Sequence, residues 1–276
     1  MSKEHNNMGK SVNELFSLEG KVAMITGGAG WLGSAMAEGL AQARAKVVII
    51  DCKDTAVAEV TGRLKKQGLD VLGAVFDVME DKSLREGIDK IAEEHKRIDV
   101  LVNCAVVHAG GNPDEHVLDD FHNAYGNSAA YAIAAQQVAK YMRKTGGGSI
   151  INIGSMYGLV TSYPEVYEGL MDKPSMTYGM DKAAVMQMTR FLAIYWAKDK
   201  IRVNCLSPGA FPNPNKEMYV NNPKMSEFIN RLAGKIPMGR VGNPTELKGA
   251  LLYLASDASS YFTGQNMVVD GGWTVW

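Results

Sequence analysis

Three cysteines in 276 residues, Cys52, Cys104 and Cys205, are too few and too far apart for a disulfide framework. They fit a reduced, cytoplasmic protein. No apolar run approaches the roughly 18 residues that span a bilayer, so no membrane association is expected. The amino-terminal stretch MSKEHNNMGKSVNELF is polar where a secretion signal would be apolar. Neither sign of charge dominates: 29 Lys and Arg face 30 Asp and Glu. Without a basic stripe, a nucleic-acid partner is not expected. The five histidines (His5, His95, His108, His116, His122) show no HxxxH spacing, and no CxxC accompanies them. They are read as surface or loop residues, and no metal site is expected.

What is present is alternation. Short β-branched runs predict strands over 21–26, 46–51, 71–78, 98–105, 148–155, 201–209 and 264–272. Between them, apolar residues at helical spacing predict helices over 33–44, 55–68, 81–97, 121–145, 175–199 and 244–256. Strands separated by helices of this length form βαβ units, and right-handed crossovers make them one doubly wound parallel sheet. No linker, repeat or low-complexity tract breaks the pattern, so a single α/β domain is expected over residues 18–276, behind an extension at 1–17.

The stretch TGGAGWLG (26–33) lies after the first strand and opens the first helix. Glycines there let the backbone approach a pyrophosphate, and the helix N-terminus favours its charge. The expectation is a Rossmann-like dinucleotide site using Gly27, Gly30, Trp31 and Leu32. Trp31 is expected to lie along the turn rather than in the diphosphate position. Eighteen residues past Gly33, the second strand ends in Asp51. A carboxylate there accepts hydrogen bonds from the adenosine ribose hydroxyls and repels a 2′-phosphate. With no Arg or Lys in 26–33, NAD(H) is expected over NADP(H), with Lys53 as the nearby opposing charge.

Further along, TYGMDK holds Tyr178 and Lys182 as YxxxK, IGS ends the fifth strand with Ser155, VNCA ends the fourth with Asn103, and SPGAF follows the sixth. With the closing TGQNMVVDGGW, these motifs make nearly the whole chain, residues 18–276, resemble the short-chain dehydrogenase/reductase family in its compact, single-domain branch. Two positions depart from that pattern. The glycine spacing TGxxGxxG is that of the family's extended branch, and NCAV stands where NNAG is usual. The chain has no length for the extended branch's second domain, so the compact fold is expected.

Tyr178 and Lys182 are four apart and share a helix face. A free phenol titrates near 10. An ammonium at about 4 Å is worth on the order of 4 kcal/mol at an effective dielectric of 20, roughly three pKa units. A phenol brought near 7 exchanges a proton with an alcohol or carbonyl at neutral pH. The resemblance implies Tyr178 as the acid/base, Lys182 as its tuner and ribose ligand, and Ser155 as the partner of the substrate oxygen. It also implies Asn127, with Asn123 as a rival, as the helix asparagine of a proton relay. Asp77 and Val78 are implied at the adenine, Asn103 and Ala105 along the cofactor, and Pro208, Gly209 and Phe211 beside the nicotinamide.

Two loops are expected to choose the substrate, 156–176 and 210–240, the second as a mobile lid. Tyr157, Tyr163, Glu165, Tyr167, Glu168 and Lys173 make the first rich in hydrogen-bonding groups. Such a pocket suits a polyhydroxylated small molecule. The loops and the DGGWTVW ending resemble the gluconate 5-dehydrogenase-like subgroup, which implies a sugar, sugar acid or polyol. Lys173, Lys216, Lys224 and Arg240 are the candidate cations for a substrate carboxylate. The alternatives are an apolar substrate, such as a hydroxysteroid or 3-oxoacyl thioester, and a nucleotide sensor without turnover. Enoyl reductase relatives space their Tyr and Lys more widely than four. The resemblance further implies a homotetramer, with the helix stretch 184–197 and the carboxyl-terminal GGWTVW as contact surfaces.

Overall fold

The computed structural model describes residues 9–107, 112–170, 175–213 and 222–276. Seven strands form one wholly parallel sheet: β1 (Val22–Thr26), β2 (Lys46–Asp51), β3 (Val71–Val75), β4 (Val100–Asn103), β5 (Gly148–Ile153), β6 (Ile201–Pro208) and β7 (Asn266–Val269). Their spatial order is β3-β2-β1-β4-β5-β6-β7. The order reverses between β1 and β4, where Thr26 pairs in register with Asn103.

The strands are apolar on both faces because both are covered. Within β1 and β2, Ala23, Ile25, Val47 and Ile49 face one core, while Val22, Met24, Val48 and Ile50 face the other. The first core is closed by α2 (Trp31–Gln42), α3 (Asp54–Lys66) and α9 (Leu247–Ala255). The second is closed by α4 (Asp81–His95), α5 (Leu118–Thr145) and α7 (Met176–Trp196). A third cluster, around Trp273, joins α6 (Pro164–Tyr167) and α8 (Pro223–Gly234) beyond the carboxyl ends of the strands.

The expected fold class is the one found, with adjusted element ends. Helix α2 starts at Trp31 rather than 33, so the tryptophan is its first residue. Strand β5 stops at Ile153, which leaves Ser155 in the turn beyond it. Residues 12–16 form α1, a single capped turn, within the expected extension. The expected lid at 210–240 contains α8, whose Met225, Phe228 and Leu232 are buried; residues 214–221 lie outside the described ones. His116 lies in the loop before α5, with its side chain 3 % exposed, Nδ1 on Asp120 and its ring edge-on to Phe121. His5 and His108 lie outside the described residues. Among the described residues, no helix is long and apolar enough to cross a membrane.

Candidate active site

At the reversal of strand order, β1 leads into α2 on one face and β4 into α5 on the other. The diverging connections leave a crevice at the carboxyl ends of the strands. The Thr26 hydroxyl ties its two sides, accepting the amide protons of Cys104 at 3.1 Å and Ala105 at 3.3 Å. The crevice is a groove of about 1060 Å³, at the upper end for a ligand pocket.

The glycine turn lines one wall of the groove. Gly27 has φ +63°, and a Cβ on it would lie 2.7 Å from the Ala105 Cα. A Cβ on Gly33 would lie 2.1 Å from the Gly27 carbonyl oxygen. The turn therefore closes only around glycine, and it presents the N-terminus of α2 to the groove. Trp31 does more than follow the turn: its ring lines the groove, and its indole Nε1 is buried without a hydrogen-bond partner. A buried donor of this kind, beside a helix N-terminus and a cradle with no room for side chains, fits an anionic dinucleotide.

Of the other residues implied for the cofactor, Gly30, Leu32, Asp51, Asp77, Val78, Ala105, Pro208, Gly209 and Phe211 line the groove. Asp51 ends β2 and accepts the Cys52 amide proton at 2.9 Å; Lys53 lies on the same wall. Asn103 does not line it. Its carboxamide is buried and donates to the Tyr131 carbonyl at 3.2 Å and to Asn152 Oδ1 at 2.9 Å, so it braces β4 against β5 and α5.

Farther along the groove lie Ser155, Tyr178 and Lys182. Ser175 caps α7, accepting the Tyr178 amide proton at 3.1 Å, which fixes Tyr178 in the first turn. The Ser155 hydroxyl accepts the Tyr157 amide proton at 3.2 Å and hydrogen-bonds the Tyr178 phenol. Lys182 is 2 % exposed. Its ammonium donates to the Ile153 carbonyl at 3.0 Å and lies 5.2 Å from the Tyr131 ring centroid and 5.7 Å from that of Tyr178.

The electrostatics correct the expected balance. Burial pushes the Tyr178 phenol above its ordinary value; the Ser155 hydrogen bond opposes this, while Asp181 and Cys104 add to it. The Lys182 ammonium, bonded to the Ile153 carbonyl, is itself lowered by burial. Burial drives the neighbouring Cys104 thiol up to about 12, so it stays a neutral thiol.

Asn127 is buried and Asn123 exposed. The Asn127 carboxamide clamps Val107, accepting its amide proton at 2.7 Å and donating to its carbonyl at 3.1 Å, with a second donation to the Ala124 carbonyl at 2.9 Å. It thus ties α5 to the loop after β4.

Past Tyr178 the walls belong to Met156, Tyr157, Tyr167, Met225, Phe228 and Leu232. The remaining groups expected from the first loop face elsewhere. Tyr163 packs on Trp273, and Glu165 pairs with Lys235 at 2.8 Å. The Glu168 carbonyl accepts from Arg231. Lys224 donates to the Gly169 carbonyl at 3.1 Å, and Arg240 pairs with Glu246 at 2.7 Å, so neither is a cation of the groove. Lys173 and Lys216 lie outside the described residues. Sequence reasoning missed Met225, Phe228 and Leu232. Their i, i+3, i+7 spacing was a legible helix face, passed over because the segment was read as a lid.

A parallel sheet with a glycine-built groove at its switch point, and a Ser, Tyr and Lys set at one end, is the architecture of a dinucleotide-binding oxidoreductase. Residues 28–274 match the family described as "Enoyl-(Acyl carrier protein) reductase". The chain is 35% identical to the 2-dehydro-3-deoxy-D-gluconate 5-dehydrogenase of Dickeya dadantii, covering 94% of this chain and 97% of that one. It is 34% identical to a tropinone reductase homolog of Arabidopsis thaliana, covering 96% and 95%. It superposes with a TM-score of 0.85 on a gluconate 5-dehydrogenase from Burkholderia cenocepacia in complex with NADP and tartrate, at 32% identity, covering 96% of this chain and 100% of that one. The chain belongs to the short-chain dehydrogenase/reductase family and has sugar-acid dehydrogenases among its relatives.

Proposed function

We propose that this protein interconverts a secondary alcohol and a ketone with a nicotinamide carrier, using Tyr178 as the acid/base. The observation that carries this is the hydroxyl pair of Ser155 and Tyr178 on the wall of the dinucleotide groove, with the Lys182 ammonium one turn behind. In the oxidative direction the substrate hydroxyl docks between Ser155 and Tyr178. With the Tyr178 phenol first deprotonated, the substrate proton passes to the phenolate oxygen as the carbinol hydrogen leaves as hydride. Ser155 holds the oxygen while its charge changes. Lys182 places its ammonium near the phenol and, on the groove wall, would hold the carrier's ribose. Asn127 fixes the loop at Val107 along the same groove. When bound, the nicotinamide supplies the hydride acceptor or donor and, in its oxidised form, a positive charge.

The glycine wall, Trp31, Leu32, Asp51, Asp77, Val78, Ala105, Pro208, Gly209 and Phe211 are the proposed carrier contacts. NAD(H) is the proposed carrier, supported by Asp51 on the wall and by the absence of a cation in 26–33. The NADP in the Burkholderia structure and Lys53 beside Asp51 mark the competing choice. A sugar, sugar acid or polyol is the proposed substrate class, supported by the names of the relatives and the tartrate of that structure. The apolar walls at Met156, Met225, Phe228 and Leu232 favour a second reading, a substrate with an apolar face.

A cytoplasmic homotetramer is proposed, with residues 18–276 as the catalytic domain and 156–176 and 210–240 as its substrate segments. Phe191, Ile194 and Tyr195 support the assembly: they are exposed on α7, with Phe191 and Tyr195 stacked at 6.0 Å. Solution mass measurement tests it. The carboxyl-terminal contribution is narrower than expected, because Trp273 is buried within the chain while Val275 and Trp276 are exposed.

The function is tested by screening sugars, sugar acids, polyols, steroids and alicyclic ketones with both carriers, following reduced nicotinamide by absorbance. Turnover of a secondary alcohol or its ketone is expected. NADH binding without turnover of any of them would replace the enzyme with a nucleotide sensor.

A further inference from the structure

Three phenols converge at the substrate end of the groove. Tyr157 and Tyr167 both line it, as does Tyr178. Their hydroxyl oxygens are 2.5 Å apart and share one hydrogen bond. Burial pushes both phenols up, so each keeps its proton at neutral pH. Two hydroxyls carry two protons, and the shared bond uses one. Among the described residues neither hydroxyl has another protein partner, so one donor and several lone pairs remain for a ligand.

The pair is held rigidly. The Tyr157 ring meets Trp273 edge-on at 6.3 Å, and Tyr167 is tilted on Phe228 at 5.3 Å. Trp273 is 1 % exposed and anchors the cluster. Around the hydroxyls the walls are thioether, aromatic and aliphatic: Met156, Met225, Phe228 and Leu232. Such walls suit the C–H face of a ring. The described cations on this side are engaged elsewhere. Lys224 is on the Gly169 carbonyl, Arg231 on Glu227 and on the carbonyls of Glu165 and Glu168, and Lys235 on Glu165. Among the described residues, none of these cations is free to meet a substrate carboxylate desolvated at the phenol pair.

We propose that Tyr157 and Tyr167 form a subsite for the hydroxyl next to the reacting carbon, and that the substrate is an uncharged cyclic vicinal diol or the matching α-hydroxyketone. The reaction then balances as a two-electron oxidation by the nicotinamide carrier. The carbinol C–H bond breaks with its electron pair going to the carrier, and the O–H proton goes to the Tyr178 phenolate, whose own proton has already left to solvent. The C=O bond forms, while the neighbouring hydroxyl stays on the tyrosine pair. The proposal rests on the alcohol–ketone reading above and adds what sits beside the reacting oxygen.

The test compares kcat/KM for cyclohexanol, cis- and trans-1,2-cyclohexanediol, myo-inositol and gluconate, using the parent protein, Tyr157→Phe and Tyr167→Phe. Each substitution removes one hydroxyl and keeps the ring packing. The parent should prefer a cyclic diol to cyclohexanol by tenfold or more. In each variant the loss on the diol should exceed the loss on cyclohexanol by about 10- to 100-fold, the size of one unpaired buried hydroxyl. If one variant does not fold, as judged by its melting transition, the other carries the comparison. An unchanged diol-to-cyclohexanol ratio, or gluconate preferred to every neutral ring, overturns the subsite and leaves the dehydrogenase standing. No turnover of any alcohol or ketone while NADH still binds overturns both.

Discussion

Asp181 Oδ1 accepts the backbone amide proton of Ser128 at 3.0 Å. The bond joins α7 to α5 one residue past Asn127 and one before Lys182, so two functional neighbours are set by one buried carboxylate. Asp181 is fully buried, and its other oxygen, Oδ2, has no hydrogen-bond partner. Burial raises its carboxyl above the ordinary value, against the pull of Lys182 and Ser128.

Asp181→Asn keeps an acceptor for Ser128 and removes the charge. A raised carboxyl lets the folded state hold a proton that the unfolded chain has released. That contribution is full below the ordinary carboxylate range and fades as pH rises through the raised folded value. The melting temperature of Asp181→Asn relative to the parent should therefore climb as pH rises from about 3.5 to 6.5. Because the Asp181 charge also raises the Tyr178 phenol, the acidic limb of kcat/KM for alcohol oxidation should move down by up to about one pH unit. Asp181→Ala should lose about 1–3 kcal/mol by orphaning the Ser128 amide. A pH profile identical to the parent's in Asp181→Asn would remove Asp181 from the chemistry.

The glycine wall makes a graded prediction. A Cβ on Gly33 would sit 2.1 Å from the Gly27 carbonyl oxygen, whereas one on Gly30 would sit 3.2 Å from the same atom. Gly33→Ala should weaken NADH binding at least tenfold and destabilise the fold by about 1–3 kcal/mol. Gly30→Ala should do much less. Fluorescence titration with NADH and thermal unfolding separate the two. Equal effects would mean that backbone closure at Gly33 does not shape the site.

On the proposed reading, Asp51 sets the carrier choice. Asp51→Ala should weaken NAD binding about 10- to 100-fold, the value of charge-assisted ribose hydrogen bonds. NADP should lose less or gain, because the repulsion of its 2′-phosphate is removed and Lys53 remains on the wall. Competitive titration of both carriers measures this. An equal loss for both would contradict the ribose contact.

The framework was legible because it rests on periodicity. The β-branched runs of β1, β2 and β6 and the long repeats of α5 and α7 are burial patterns, and burial on both faces of a parallel sheet leaves little freedom. The groove positions of Asp51, Ser155 and Tyr178 were legible because each lies at or near an element end, and that of Lys182 because it lies one turn on from Tyr178. Asn103 was not, since the same strand end offers an adjacent slot between β4 and β5, and the Asn152 and Tyr131 partners that draw its side chain there are distant in sequence. The substrate end was least legible. Tyr157, Tyr163 and Tyr167 look alike in a polar loop, but Tyr163 packs on Trp273 away from the groove lining, while Tyr157 and Tyr167 line the groove and hydrogen-bond each other. For Tyr178, four-residue spacing shows which face carries the ammonium, but not the burial that pushes the phenol up.

The central claim is that the Tyr178 hydroxyl moves the proton. Tyr178→Phe deletes that oxygen alone, and a pair of measurements on the purified variant tests it most directly: kcat for the best alcohol–ketone pair and Kd for NADH. The account predicts a fall in kcat of about 10²–10⁴-fold or more, with NADH binding within about twofold of the parent. Turnover retained at the parental rate, with the carrier bound as before, would contradict it.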